Sequence, residues 1–523
     1  MMEEDLDLLK KEIDEIIEER KDSYISFLSQ LLRFKTVSSP RSDKEKAEST
    51  EAFSDAFRFI REEAERLDLT YREHDGMALV LDWIAEHDPN EELETVGIAC
   101  HLDVVPGGKG WTYPPFGGTV ADDHIWGRGA QDDKGPIAMT FAVLDILKRL
   151  GHTPEKGIRI LLGTREETDE WEDIDLLLER DQVPDMVMVP DGIFPVINGE
   201  KGMVMVQWDA IWDELEVGNS AGKLELLRLS GGKRHNMVPD RAEVLLRCDE
   251  RDKDTVSDLL AETELVLKDF IKELDLETEI SLFRGDQDSK GSKSYIFKII
   301  FKGSIAHGAF PEKGHNALLD ALAFVDLLKA DPLGMRSFIK VLKERCSKLD
   351  GSGFDVHAHD RYMGDTTVNL GIAEINPIEG RAIINVRFPR GLTCEDVEER
   401  FRLASHNDSR SKGKGKLHIT SSITGRAQEP LFIEPDENED FLGPMRRAYR
   451  KSTGREKDLD SISGTTYAKA FKKAAAFGPV DEPGGEEELA HEVDERISIK
   501  GFLAKIRTYA MALILLTDDQ VGS

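Results

Sequence analysis

Val96-Gly97-Ile98-Ala99-Cys100-His101-Leu102-Asp103 is a short apolar run that ends on residues able to bind a divalent metal, and two later runs repeat the design. Ile158 to Leu162 leads into Arg165-Glu166-Glu167, and Met186 to Val189 leads into Pro190-Asp191-Gly192. Apolar runs without polar alternation suit strands buried on both faces, as in a parallel sheet. Pro136 to Leu150, with proline in its first turn and Gly151 at its end, reads as a helix between two of them. The pattern predicts an α/β domain whose mostly parallel sheet is sandwiched by helices. In such sheets, sites form outside the carboxyl ends of the strands, so these side chains can meet although they are distant in sequence. The turn Gly127-Arg128-Gly129-Ala130-Gln131-Asp132-Asp133-Lys134-Gly135-Pro136 adds two aspartates just before the helix. It is no phosphate loop, because no Gly-Lys-Ser/Thr follows at the required spacing. A strand-end histidine, an acidic pair and an aspartate before glycine are each ordinary alone; their succession at strand and turn ends is what points to a metal site.

Outward from these runs, Leu6, Leu9, Ile13, Ile16 and Ile17 recur at helical spacing and open the chain with an amphipathic helix ending near Arg33. After Gly199 the texture becomes α+β, with strands at Ala242 to Leu246 and Ile296 to Phe301 and helices at Thr255 to Glu273 and Ala317 to Leu328. His406 to Lys416 reads as a solvated loop. Helices are expected again at Glu439 to Thr453, Thr465 to Lys473 and Ile497 to Thr517, so the end of the chain can rejoin the first domain.

At 523 residues the chain has room for two or three domains. Its 69 Lys plus Arg against 102 Asp plus Glu, a net charge of −33, argue against nucleic acid or an anionic membrane as partner. Met1 to Lys11 carries no secretory pattern, and apolar stretches such as Tyr509 to Leu516 are too short for a span, so a cytoplasmic protein is expected. The four cysteines lie far apart, which leaves His and carboxylates to hold any metal.

The residues resemble the dinuclear zinc exopeptidases, the family of carnosinases, aminoacylases and carboxypeptidase G, and most of all its PepV-type bacterial dipeptidases. The resemblance rests on His101-x-Asp103, the Gly-Arg-Gly-x-x-Asp-Asp-Lys-Gly-Pro run, Glu166-Glu167, Asp191 with Phe194-Pro195, Asn236-Met237-Val238-Pro239, Ala306-His307-Gly308, Gly464-Thr465-Thr466-Tyr467-Ala468, and His491. It implies a catalytic domain built from residues 1–198 and 427–523 around an inserted α+β lid at 199–426, composed of two related halves, and hence a monomer.

The same resemblance implies two zinc ions, with manganese or cobalt able to substitute. His101 and Asp191 hold one, Glu167 and His491 the other, and Asp132 bridges both. Asp103 is expected to accept the free imidazole N–H of His101, as carboxylates behind metal-bound histidines do. Glu166 is the expected general base, His307 the donor to the oxyanion, and Asn236, Arg387, Gly464 and Thr465 the contacts to the substrate's terminal carboxylate. The resemblance also carries a cis Asp132–Asp133 bond. The implied activity is hydrolysis of dipeptides with free amino and carboxyl termini. Deacylation of N-acyl amino acids, which breaks the same bond type, stays open, and so does a non-catalytic peptide-binding relative. Two stretches are decoys: His491-Glu492-Val493-Asp494-Glu495 is no zinc helix, since Glu495 stands where a second histidine would, and His357-Ala358-His359-Asp360 reads as an exposed turn.

Overall fold

A computed structural model describes residues 3–38, 42–84, 93–168, 170–212, 225–249, 277–284, 294–328, 333–409 and 416–518, with isolated positions 265, 270 and 272. The chain divides into two compact units, Met1–Glu200 with Leu431–Ser523, and Lys201–Pro430. Both boundaries fall a few residues beyond those expected. The Ile197–Glu200 strand pairs through Glu200 with Leu431, so both strands stay in the first unit's sheet.

The apolar runs of the first unit become the middle of a nine-stranded sheet. Gly157–Gly163, Thr95–His101, Met186–Val189 and Ala474–Ala476 lie side by side and parallel. Ala78–Trp83 flanks them antiparallel at one side and Ile197–Glu200 at the other. Alternate side chains feed two cores, as the two-residue period of a strand requires. Ile98, Cys100, Ile160 and Leu162 pack with the helices Glu3–Leu31, Lys134–Arg149, Glu439–Thr453 and Ile499–Thr517. Ala99, Leu161, Val187 and Val189 face Trp171, Leu177 and Tyr467 on the other side. With both faces covered, four parallel strands direct their carboxyl ends to one edge.

The second unit is α+β. Its sheet is antiparallel throughout, in the order 277–284, 294–302, 241–249, 225–231, 367–375, 379–388, 202–212, 417–423. Helices Ala317–Leu328, Leu333–Cys346 and Cys394–Asp408 share its core, where Trp208 packs edge-on against Phe354 and Phe401.

Two expected elements differ. Thr465 to Lys473 holds only a 3-10 turn at Tyr467–Ala470, because Glu200 takes both the N–H and the hydroxyl of Thr466 and keeps that residue extended. His406 to Asp408 close the Cys394–Asp408 helix instead of opening a loop, and 410–415 lie outside the described residues. Apart from three isolated positions, the helix expected at Thr255 to Glu273 also lies outside them. No helix among the described residues is long and apolar enough to cross a membrane.

Candidate active site

At the carboxyl edge of the parallel strands, His101 closes its strand almost fully buried. Its backbone N–H donates to Asp133 at 2.9 Å, and its ring Nδ1 meets the backbone carbonyl of Asp103 at 3.0 Å. The Asp103 carboxylate is farther, at 3.4 Å, and it accepts instead the N–H groups of Glu166 and Glu167 at 3.2 and 3.0 Å. Asp103 thus orients both the histidine and the glutamate pair, with its carbonyl serving the ring and its side chain the adjacent strand end.

Glu166 and Glu167 follow the Gly157–Gly163 strand by way of Thr164 and Arg165, whose N–H groups donate to buried Asp173. A side chain at Gly163 would collide with the Tyr467 hydroxyl and the Asp173 carboxylate, so only glycine lets the strand pass there. The Trp171 indole donates to the Glu166 carbonyl at 2.9 Å. Asp132 precedes the Lys134–Arg149 helix, and its bond to Asp133 is cis.

These residues form two groups of donors: His101, Glu166 and Asp191, and Asp132, Glu167 and His491. Asp132 connects them. Its Oδ1 lies 2.9 Å from His101 Nε2, and its Oδ2 lies 3.0 Å from His491 Nε2, which also meets Glu167 at 2.8 Å. All five expected ligands therefore converge, with Glu166 among them.

The electrostatics are those of crowded acids. Burial, then neighbouring Asp132, pushes the Asp191 carboxyl up to about 8, and burial drives Glu166 well above the usual carboxylate range. For Asp132, burial acts upward, but the neighbouring imidazoles of His101 and His491 outweigh it and hold the group low. A buried cluster of this kind calls for positive charge. The donor set suits divalent metal: imidazole and carboxylate are zinc ligands, and the buried His101 Nε2 finds no hydrogen bond of proper geometry among the described residues, although Asp132 is near. His101 and Asp191 can hold one ion, Glu167 and His491 a second, and Asp132 both.

The second unit carries Asn236, His307 and Arg387. Asn236 and His307 sit together, since Met237 bridges His307 and the Gly308 N–H donates to the Asn236 carbonyl at 2.7 Å. Arg387 is buried on the Glu379–Phe388 strand, with Nε on Asn385 Oδ1 at 3.1 Å. On the strand beside it, Asn369 donates to the Met237 carbonyl at 2.9 Å. Gly464 and Thr465 belong to the first unit, just before Thr466, which Glu200 holds.

Sequence reasoning passed over Asp133, Asp173 and Glu495, all buried acids whose oxygens take backbone N–H groups around the donors. Asp133 stood inside a quoted run and Glu495 inside a dismissed one; Asp173 has no signal in the sequence.

Comparison with known proteins finds matches over most of the chain. The model of peptidase family M20/M25/M40 matches residues 97–514. A Staphylococcus epidermidis protein provisionally named a dipeptidase is 31% identical over 427 residues, covering 81% of this chain and 83% of its own length. A Bacillus subtilis protein with a similar provisional name, YtjP, is 29% identical over 451 residues, 86% of this chain and 87% of its own. Among solved structures, the di-peptidase Dug1p of Saccharomyces cerevisiae superposes with a TM-score of 0.57 at 14% identity, covering 99% of each chain. Human carnosine dipeptidase 1 does so at 0.55 and 15%, covering 98% and 99%. At such identities the superpositions establish the shared fold.

Proposed function

The chain belongs to peptidase family M20/M25/M40, and from that premise we propose that it is a zinc-dependent dipeptidase cleaving dipeptides that carry free amino and carboxyl termini. The observation that carries this reading is Asp132, whose two carboxylate oxygens lie against different histidines and so join two three-donor groups, one of which includes Glu166. The provisional dipeptidase names of the relatives support the substrate class.

Two divalent cations held there by His101, Asp191, Glu167, His491 and Asp132 would supply Lewis-acid polarisation of the scissile carbonyl and a more acidic water. Glu166 would take the proton of the attacking water and return it to the leaving amine. Its peptide is fixed at both ends, by Asp103 at the N–H and Trp171 at the carbonyl, which supports a base presented at a set position. In the second unit, read as a lid, His307 donates to the oxyanion, a service worth about 3–4 kcal/mol where such donors have been removed. Asn236 and Arg387 hold the substrate carboxylate, the arginine through its planar fork, and Gly464 and Thr465 offer backbone groups to the same end. The PepV-type resemblance, with two related lid halves in one chain, supports a monomer. Free thiols at Cys100, Cys346 and Cys394 are in keeping with a reducing cytoplasm.

The test is a substrate panel with metal analysis. Purified protein loaded with zinc, manganese or cobalt is given dipeptides of the Ala-Ala and carnosine type, and acetyl and succinyl amino acids. Dipeptide hydrolysis with about two ions bound per chain is expected. Preference for the acylated amino acids would replace the reading with a deacylase, and no hydrolysis by fully loaded protein would leave a binding protein.

A further inference from the structure

His491-Glu492-Val493-Asp494-Glu495 is only half used by the two-ion reading: His491 is a donor and Glu495 is not. Yet Glu495 is completely buried, a costly place for a carboxylate unless it is fully paired. One oxygen accepts Arg128 Nη1 at 2.7 Å and the Gly129 N–H at 3.0 Å. The other accepts the N–H groups of Gln131 and Asp132 at 2.8 and 3.3 Å. Gly129, at φ +93°, lets the turn curl its N–H groups around a single anion. That anion is a side chain supplied from the far end of the sequence.

The same turn grips the loop of His491. The second Nη of buried Arg128 donates to the His491 carbonyl at 3.1 Å. The Gln131 side chain donates to the carbonyls of Glu487 and Arg496 and accepts the Leu489 N–H at 2.7 Å. His491 itself has φ +66°, a left-handed conformation that a non-glycine residue keeps only where its surroundings impose it. Glu495 therefore sets the backbone at Asp132, and its partner Arg128 sets the backbone at His491.

The geometry points to Glu495 as a positioning residue which, through Arg128 and Gln131, locks the turn of Asp132 to the loop of His491, so that the Asp132–Glu167–His491 group is formed before metal arrives. The inference rests on the two-ion reading. Groups that orient metal ligands carry about 10–100-fold in affinity, and here the effect falls chiefly on the site that needs both Asp132 and His491.

The test uses the full-length chain, stripped of metal and titrated with Zn2+ against a chromophoric chelator, with Co2+ absorption as a second readout. Wild type is expected to bind in two steps. Glu495→Gln should weaken one step by about 10–100-fold and the other, which shares only Asp132, by clearly less, alter the cobalt spectrum chiefly of the weakened step, and recover kcat at high metal with KM unchanged. A Glu495→Gln protein that melts lower without metal but keeps the wild-type ratio of the two affinities would show a merely structural role and overturn the proposal. Should that variant fail to fold, Gln131→Ala leaves the Arg128–Glu495 pair intact and carries the same expectation in the same direction. Wild type binding fewer than two ions would overturn the two-ion reading itself. Two ions in wild type with an unchanged ratio in the variants would overturn the positioning role alone.

Discussion

Glu166 and Glu167 are adjacent, and both donate their N–H groups to Asp103, yet their side chains enter different donor groups. Burial raises both carboxyls, and His491 hydrogen-bonds only Glu167. On the proposed reading the pair divides into a ligand and a base, and substitution tests the two roles separately. Glu166→Gln should keep two bound ions by elemental analysis while dipeptide turnover falls by about 10²–10⁴; near-normal turnover would remove it from the base role. His307→Ala should lower kcat by about 10²–10³ with metal content unchanged. Lost metal would instead make that histidine a ligand.

Elements around the site are held by buried acids, and their loss is a matter of stability. Asp173 accepts the N–H groups of Thr164, Arg165 and Ile174 and also the Tyr467 hydroxyl, tying the turn behind the glutamates to the 3-10 turn at Tyr467–Ala470. Tyr467→Phe leaves that carboxylate one donor short in a buried place and should cost about 1–3 kcal/mol in urea unfolding. Asp145 does similar service on the helical face, gathering Tyr24, Arg66 and Arg149 and so joining three helices. Burial alone raises its pKa, but the hydrogen bonds of Arg149 and Tyr24 and the charges of Arg149 and Arg66 outweigh that and lower it. A carboxyl whose folded pKa lies below its unfolded value, about 3.9, contributes stability above that pH and loses it as pH falls through the folded value. Asp145→Asn should therefore flatten the loss of stability below about pH 4, measured by denaturant unfolding across pH; an unchanged acid profile would exclude that linkage.

For the whole molecule, the two units have separate hydrophobic cores, and every expected metal ligand lies in the first. Chains of this kind depart from two-state unfolding, so calorimetry should show more than one transition. Ligand binding stabilises only what it binds, by about 2.7 kcal/mol at a hundred times Kd. Added zinc should raise the transition of the first unit and leave that of the second in place; a uniform shift of both would mean that the units unfold as one.

The middle of the sheet was legible because strands buried on both faces need continuous apolar runs, and Ile158 to Leu162 and Met186 to Val189 satisfy that requirement locally. His101, Glu166, Glu167 and Asp191 were legible for the same reason, since each follows such a run. Thr465 to Lys473 reads as helix in sequence, but the contacts that stop it forming one, Glu200 on Thr466 and Asp173 on Tyr467, come from remote segments. Sequence alone determined which residue types stand at the strand ends, and so the class of chemistry available. Only the tertiary structure decided that Asp132 turns one oxygen to each histidine, that Asp103 serves the glutamates with its carboxylate, and that Glu495 closes the turn from the far end of the chain. The physical reason is that burial and hydrogen bonding set where a carboxylate points, and both are supplied by neighbours in space.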